Sequence, residues 1–285
     1  MGGSGQSVGK VCAGREAYRR GCGVEIGRNS TRSPVAVAAC QPNDLITQSG
    51  EFISNAWAHG RLATGKTIEI RGVNGSISAE PASGADVEVT ARKHARRDDP
   101  DEVRIEVVEH EGGVTICSVY PGRRNRCAPG GGQMSTHDND VEVEFTVRVP
   151  RGVAFDGNNV NGDVEAINLE GPVDAHAVNG GVRIETGAGE ASASTVNGGV
   201  RALVRGRGTE SLHFETVNGG IDLTLPADLG ADLEAQTVNG TINSDFPVSV
   251  TGRINPRRLN GRIGSGGRRL DLETVNGSIR IRSLR

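Results

Sequence analysis

The sequence contains few aromatic residues and no long apolar segment. Of its 285 residues, five are Phe, two are Tyr and one is Trp, and hydrophobic residues make up 35%. This composition is too lean for a conventional two-layer core of this length. No apolar run approaches the ~18 residues that a membrane-spanning helix needs, and helical periodicity is absent from residue 62 onward. A net charge of −3 indicates no general attraction to nucleic acid.

Glycine is abundant instead, and much of it follows asparagine. The chain has 42 glycines, and Val-Asn-Gly or Leu-Asn-Gly occurs eight times, with asparagines at Asn74, Asn161, Asn179, Asn197, Asn218, Asn239, Asn260 and Asn276. The last seven are separated by 18, 18, 21, 21, 21 and 16 residues, which is typical of a stacked repeat that reuses one corner in every coil. Because Asn and Gly tolerate positive φ, the dipeptide predicts a sharp turn with positive φ at both residues.

Short strands flank each corner. In most repeats the residues two, four and six positions before the Asn are small or apolar, as in Leu212, Phe214 and Thr216. The residues three and five positions after the Asn are also apolar, as in Ile221 and Leu223. This period-two pattern predicts a strand with one buried face on each side of the corner.

Two arrangements fit these units. Asn-Gly between alternating strands is a strong hairpin signal, which would give an antiparallel meander. A parallel solenoid better explains why the same inward residues recur at the same offset, because like then stacks on like. We therefore predict an all-β fold, a parallel β-solenoid of about 7–8 short coils with an irregular β N-terminal cap. Its corner amides would form a hydrogen-bonded ladder of Asn161, Asn179, Asn197, Asn218, Asn239, Asn260 and Asn276.

Three regions follow from these patterns. Residues 1–61 lack clear periodicity, and we interpret them as largely disordered or as preceding the true start of the protein. Residues 62–150 hold the corner at Asn74 and long alternating strands, which predict a β cap that contains the first coil and protects the end of the stack. Glu111-Gly112-Gly113 predicts a hairpin within this cap. Residues 151–285 are the regular β-solenoid.

Three cysteines permit specific hypotheses. Cys117 and Cys127 bracket a loop that a disulfide could close, with a stabilisation of about 3 kcal/mol in the loop-entropy model. Two free thiols are the alternative, whereas a disulfide would indicate an oxidising, extracytoplasmic compartment.

Cys40 follows a small-residue segment that resembles the end of a bacterial lipoprotein signal. Its apolar stretch is shorter than the roughly 7 residues that a signal needs, so lipidation of Cys40 competes with a chance Ala-rich loop.

Patterns typical of enzymes occur in the wrong context. Residues 60–67 fit the phosphate-binding pattern G-x-x-x-x-G-K-[ST], but a strand pattern follows Lys66 where the chemistry needs a helix. The six histidines show no paired metal-ligand spacing. Outward carboxylates such as Glu165 and Glu215 meet Arg, Ser, Asn or Gln at the same offset in adjacent coils, so we expect no acid and base pair. The sequence predicts no catalytic, cofactor-binding or metal-binding residue, and an enzyme acting on glycans is the least favoured function.

The C-terminal end is strongly basic. Nine arginines lie between Arg253 and Arg285, against Asp271 and Glu273. These arginines could contact an anionic phospholipid, lipopolysaccharide or another polyanion, or they could discourage end-to-end polymerisation, which is the favoured interpretation. The residues proposed for contact with an anionic surface are Arg253, Arg257, Arg258, Arg262, Arg268 and Arg269.

The repeated run Val-Asn-Gly-Gly-Val or Val-Asn-Gly-Gly-Ile, at residues 178–182, 196–200 and 217–221, follows an opening strand and corner at 67–77. Over residues 62–285 it resembles the bacterial family of unknown function known as putative adhesins. The resemblance implies a relation to β-helical adhesin-head domains and a non-enzymatic protein of the periplasm or cell surface. It supplies no catalytic or ligand residues, and some relatives are tied to envelope-stress responses.

The resulting functional prediction is an adhesin-like binding or display scaffold at the cell envelope. Its partner would be a glycan, a protein or an anionic lipid, with no specific nucleic acid, no cofactor and no transmembrane span. A self-associating structural protein, or an envelope-stress protein, is the alternative.

Overall fold

The computed structural model describes residues 38–40, 45–46, 52–136, 138–187, 189–250 and 255–284, with side chains from residue 58 onward except Gln133. The first strands are β1 (Ala38–Cys40), β2 (Leu45–Ile46), β3 (Phe52–Arg61), β4 (Thr67–Arg71), β5 (Ile77–Pro81), β6 (Asp86–Ala95), β7 (Arg104–His110), β8 (Gly113–Val119), β9 (Arg126–Ala128), β10 (Gly131–Gln133) and β11 (Glu142–Val149). A 3₁₀ turn, Pro100–Glu102, lies between β6 and β7.

The regular part of the chain supplies the remaining strands. They are β12 (Ala154–Asn161), β13 (Val164–Leu169), β14 (Val173–Asn179), β15 (Val182–Thr186), β16 (Ala191–Asn197), β17 (Val200–Val204), β18 (Leu212–Asn218), β19 (Ile221–Pro226), β20 (Ala231–Asn239), β21 (Ile242–Ser244), β22 (Val248–Val250), β23 (Arg258–Ile263), β24 (Arg268–Asn276) and β25 (Ile279–Leu284). Even-numbered strands from β12 to β20 end at a corner asparagine, and the next strand begins three residues later.

Each coil contributes one strand to each of two long sheets. Sheet A has 12 strands, in the order β1-β3-β6-β11-β5-β13-β15-β17-β19-β25-β21, with β2 paired to β3. Sheet B has 11 strands, in the order β22-β23-β20-β24-β18-β16-β14-β12-β4-β8-β7. The coil strands pair in parallel and in register, so that Asn161 lies beside Asn179 and Asn179 beside Asn197. The predicted parallel solenoid is confirmed, and the antiparallel meander is wrong.

The coils do not stack in chain order at the C-terminal end. β18 pairs with β24 rather than with β20, and β20 pairs with the other edge of β24. The last coil, β24–β25, is therefore inserted between the coils β18–β19 and β20–β21. The chain first forms β22 and β23, which pair antiparallel to each other and cover the outer edge of β20.

The corner predicted at Asn260 is wrong, because this part of the chain forms the edge strand β23 instead of a coil. Asn260 lies within β23, opposite Glu234 of the antiparallel partner β20. The residues two and four positions before Asn260 are Arg258 and Pro256, whereas most other corners have small or apolar residues at these positions. A charged side chain and a residue without an amide proton suit an edge strand better than a core coil.

The corner glycines are required by close packing rather than by positive φ. Among the described corners only Gly75 and Gly162 have positive φ, and no corner asparagine does. A Cβ at Gly198 would overlap the carbonyl oxygen of Gly180 in the neighbouring coil, and Gly219 meets Gly198 in the same way. The predicted turn with two positive φ values is wrong, because the coils approach one another so closely at the corner that a Cβ has no room.

The interior between the two sheets is filled by small and apolar side chains from both. Phe155, Phe214 and Ile184 are fully buried. A column of buried threonines lies two positions before the corner, and each donates its Oγ1 to a corner-glycine carbonyl of the neighbouring coil at 2.8–2.9 Å: Thr195 to Gly180, Thr216 to Gly198, Thr237 to Gly277 and Thr274 to Gly219. These bonds satisfy carbonyls that the corner leaves outside the sheet ladder.

Antiparallel strands close the N-terminal end of the stack. In sheet A, β11 pairs in parallel with β5 and antiparallel with β6, which pairs with β3 over ten residues. In sheet B, the predicted hairpin at residues 111–113 joins β7 to β8, and β7 covers the edge. The boundary predicted at residue 61 is too late, because β3 is an integral strand of the cap. Most of residues 1–51 lie outside the described residues.

Candidate functional site

Parallel register places outward side chains of sheet B in straight rows. Side chains at the same offset before the corner lie on neighbouring strands, so each row runs along the stack. The first row is Glu69, Asp156, Asp174, Ser192 and His213. The second row, two residues closer to the corner, is Arg71, Asn158, His176, Ser194 and Glu215.

Three of these side chains form a compact group, which we call the Asp–His cluster. One ligand atom each from Asp156, Asp174 and His176 lies within 4.8 Å of the other two. The Nε2 of His176 lies 2.8 Å from Oδ1 of Asp174, and its Nδ1 lies 2.6 Å from the Oγ of Ser194. Asn158 donates its amide to Oδ1 of Asp156 at 2.5 Å. The imidazole is thus held between a carboxylate and a hydroxyl on two strands.

The surroundings push the pKa values of the two carboxyls in opposite directions. Burial, then the nearby charges of Asp174 and Glu69, raise the pKa of Asp156 to about 6. Burial alone would also raise the pKa of Asp174, but hydrogen bonding and charge from His176 hold it below its ordinary value. The hydrogen bond to Asp174 in turn raises the pKa of His176. The cluster therefore favours an ion pair between Asp174 and His176, with Asp156 as the carboxyl that resists ionisation.

Glu69, at one end of the first row, anchors a loop. Its carboxylate accepts from Thr115 Oγ1 at 2.6 Å and from Arg71 at 2.7 Å. It also accepts from the backbone amide of Gly130 at 3.0 Å, in the turn between β9 and β10. These bonds outweigh its burial and lower its pKa. Glu69 thus carries a fixed negative charge beside the Asp–His cluster.

The Cys117–Cys127 disulfide fastens the same loop. The structure joins Cys117 on β8 to Cys127 on β9, with 5.7 Å between their Cα atoms. The loop is pinned over the row at two points, the disulfide and Glu69.

Ser194, His176 and Asp174 form the hydroxyl, imidazole and carboxylate chain used for nucleophilic catalysis. Such chemistry also needs donors aimed at a developing oxyanion. The backbone amides of β14 and β16 are directed along the parallel ladder toward neighbouring strands, and not outward at Ser194.

Sequence reasoning did not find the Asp–His cluster. The outward carboxylates compared from sequence included Glu165 and Glu215, but Asp156 and Asp174, each five positions before its corner, were not among them. Aligning the coils on their asparagines and comparing adjacent rows together would have placed Asp156, Asp174 and His176 side by side.

Side-chain amides connect the corners along the edge of both sheets. Each corner amide donates to the carbonyl oxygen of the next at 2.8–2.9 Å, in the spatial order Asn239, Asn276, Asn218, Asn197, Asn179, Asn161 and Asn74. We call this chain of six bonds the Asn ladder. Asn74 of the cap belongs to the ladder, whereas Asn260 lies on β23.

The basic C-terminal residues do not form one free cationic surface. Arg258, Arg262 and Arg269 pair with Glu234, Asp232 and Asp271. Arg268 is 2% exposed and donates to the carbonyls of Glu210, Gly206 and Gly189, so its proposed contact with an anionic surface is wrong. Arg257 is exposed, while Arg253 and the side chain of Cys40 lie outside the described residues.

The fold and these faces define a class of protein, a capped parallel β-solenoid that presents polar side chains in rows. The model of the Toastrack DUF4097 family matches residues 66–282, and the chain belongs to this family. No match was found among curated proteins. No helix in the described ranges is both long and apolar enough to cross a membrane.

Among the solved structures that match this chain, three are named for adhesion. A putative cell adhesion protein from Clostridium sporogenes is 11% identical with a TM-score of 0.47, over 80% of this chain and 99% of that chain. A putative adhesin from Bacteroides fragilis is 12% identical with a TM-score of 0.26, over 80% and 96%. A putative adhesin from Parabacteroides merdae is 11% identical with a TM-score of 0.23, over 81% and 96%.

Proposed function

We propose that the protein is a non-enzymatic, adhesin-like binding or display scaffold of the cell envelope. The observation that supports this most directly is the in-register stack, whose Asn ladder holds seven corners in line. A rigid stack presents outward rows with little loss of side-chain freedom on binding, which favours recognition of an extended partner. The partner is a glycan, a protein or an anionic lipid.

The disulfide supports a location outside the cytoplasm. Cys117 is fully buried and bonded to Cys127, and such bonds persist in the periplasm and at cell surfaces, where thiols are not kept reduced. Lipidation of Cys40 would tether the stack to a membrane. Mass spectrometry of the protein from its native host tests this, because a lipid adduct on a peptide that begins at Cys40 is the expected result.

A glycan array with the labelled, disulfide-bonded protein tests the binding function. Retention on a defined subset of glycans, with no release of reducing sugar from the same glycans, is expected of a scaffold. The Ser194→Ala variant is the matched control for catalysis. Turnover of any glycan or ester that disappears in this variant would instead assign an enzymatic function to the serine, histidine and aspartate chain.

Self-association is a second candidate function, favoured by a column of apolar side chains. The valine immediately before the corner points outward in several coils and is 37–50% exposed, at Val160, Val178, Val196 and Val238. Because identical valines repeat at the strand spacing, the column on one molecule can pack against the same column on a second copy. Light scattering after size exclusion is expected to show a dimer that Val178→Ser with Val196→Ser converts to a monomer. A wild-type protein that is monomeric at 100-fold dilution and at high concentration alike contradicts this function.

A further inference from the structure

The outer face of sheet A carries a cationic depression that no sequence pattern indicated. It crosses β15, β17, β19 and β25, has a volume of about 170 Å³, and we call it the arginine groove. Its polar lining consists of Arg183, Arg201, Arg282, Glu185, Asp222 and Thr224. Leu203 contributes a partly exposed apolar side chain to the same lining.

Ion pairs hold the rim of the groove in place. Glu185 pairs with Arg183 at 2.6 Å and with Arg205 at 3.0 Å. Asp222 pairs with Arg282 at 3.3 Å and with Arg280 at 3.8 Å. Two carboxylates are thus shared among four guanidinium groups, which positions those groups and leaves the rim with an excess of positive charge.

Arg201 adds a fifth guanidinium between these two pairs of arginines. It is exposed, and its side chain forms no hydrogen bond or ion pair with the part of the chain that the structure describes. In the parallel register it lies between Arg183 on β15 and Asp222 on β19, so it faces a like charge on one neighbouring strand and an opposite charge on the other, and the like-charge side is destabilising. An anion seated between Arg183 and Arg201 would remove this repulsion.

We propose that the arginine groove binds an acidic polysaccharide through the carboxylate of a uronic-acid residue, an inference that rests on the proposed scaffold function. The guanidinium groups of Arg201 and Arg183 offer planar forks for a carboxylate. Glu185 and Asp222 can accept hydrogen bonds from sugar hydroxyls, and Leu203 can contact the apolar face of a sugar ring. This combination of cations, acceptors and an apolar surface fits an acidic sugar.

Other anionic partners fit the groove less well. A bare phosphate offers few donors to Glu185 and Asp222, whereas a uronic-acid residue offers its ring hydroxyl groups to both. A lipid surface would have to accommodate Glu165, which lies beside Arg183 on the adjacent strand β13 and repels anionic headgroups. The groove is open to solvent, so a polymer chain can reach it from the surface.

The test uses polygalacturonate as the probe and a neutral galactan as its uncharged comparison. Biolayer interferometry at low salt is expected to show binding of polygalacturonate alone, weakened by added salt. Arg201→Glu is expected to weaken binding at least about tenfold, because it removes a charge-assisted donor and adds a repulsive charge. Circular dichroism and the melting temperature report whether the variant folds.

Arg92→Glu is the matched control. Arg92 is an exposed arginine on the outer face of sheet A, within β6 of the cap, and it also forms no ion pair among the described residues. Its replacement is expected to change the affinity by less than about twofold. If Arg92→Glu and Arg201→Glu lose equal affinity for polygalacturonate, the binding depends only on overall charge, and the inference is overturned.

Two further outcomes separate this inference from the scaffold function. Binding to phosphatidylglycerol vesicles that depends on Arg201, without binding to polygalacturonate, would overturn the polysaccharide assignment. If wild-type protein does not bind polygalacturonate, and both wild type and Arg201→Glu bind other glycans or whole cells, the groove assignment is overturned. The scaffold function then remains intact. A wild-type protein that binds no glycan, protein or lipid of the envelope would overturn both.

Discussion

Replacing Asp156 by Asn is expected to stabilise the protein at neutral pH and to have little effect in acid. Asp156 is partly buried beside Asp174 and Glu69, and these surroundings raise its pKa from an ordinary 3.8 to about 6. The amide keeps the shape of the side chain and can still accept the hydrogen bond from Asn158. It carries no charge, so it removes the cost of ionising this carboxyl within the folded face.

The size and sign of the effect follow from linkage. A group whose pKa is higher in the folded state binds more protons there than in the unfolded chain, so its contribution to stability is present below pH 3.8 and lost as the pH rises to about 6. A difference of this size corresponds to about 3 kcal/mol. Solvent screening of a partly exposed carboxyl lowers this, and we expect Asp156→Asn to raise the free energy of unfolding by about 1–2 kcal/mol above pH 6.

Urea denaturation of oxidised protein at several pH values between 4 and 8 measures the effect. Asp174→Asn is the matched control on the neighbouring strand, because the same change there removes the carboxylate that pairs with His176 at 2.8 Å. The pKa of Asp174 is lowered in the folded state, so its ionised form contributes stability that is lost as the pH falls. We therefore expect Asp174→Asn to destabilise the protein at pH 7, opposite in sign to Asp156→Asn.

Substitutions that act in the same direction at pH 7 would contradict the opposite pKa shifts of Asp156 and Asp174. An equal gain from Asp156→Asn at pH 4 and at pH 8 would also contradict them, because a gain that is independent of pH would come from packing or from the unfolded chain rather than from the charge of the carboxyl.

Three further tests of the stack and its loop use thermal and urea unfolding. Gly198→Ala is expected to lower the free energy of unfolding by more than about 2 kcal/mol, because the added Cβ meets a neighbouring carbonyl. Gly187 has open space around it, so Gly187→Ala should change the free energy of unfolding by about 0.5 kcal/mol or less. Equal effects would contradict close packing at the corner. Thr216→Val leaves a corner carbonyl without its donor at 2.8 Å and should cost about 1–3 kcal/mol, and a neutral result would show that water replaces the bond. Replacing Cys117 and Cys127 by Ser should cost about 3 kcal/mol, and an unchanged melting temperature would contradict the anchoring of the loop.

Much of the fold could be predicted because the repeated tripeptide marks the same place in each coil. Alternation of buried and outward residues on both sides of the Asn identifies two strands per coil, and equal offsets imply parallel stacking. The conformation of the corner could not be predicted in the same way. Asn-Gly is compatible with positive φ in an isolated turn, but Gly180 and Gly198 lie where two backbones meet, and a close approach between coils has no local sequence signature.

The candidate site was less accessible to sequence reasoning. Asp174 and His176 are two residues apart on one strand, but Asp156 and Ser194 come from the preceding and following coils. Their proximity depends on coil register, and their pKa values depend on burial. The Toastrack family match covers the solenoid and supports the fold assigned from the repeats.

The sequence by itself determined that this protein is a stack of two-strand coils with asparagine at a shared corner, because the same inward residues recur at the same offset from that corner in most repeats. Only the tertiary structure decided the order of the coils. Like motifs can stack on either neighbour, and the coil ending at Asn239 gains its outer cover from β23 by lying at the end of the stack. The tertiary structure likewise placed Asp156, Asp174 and His176 on one face, since strands 4.8 Å apart bring together residues that the chain separates.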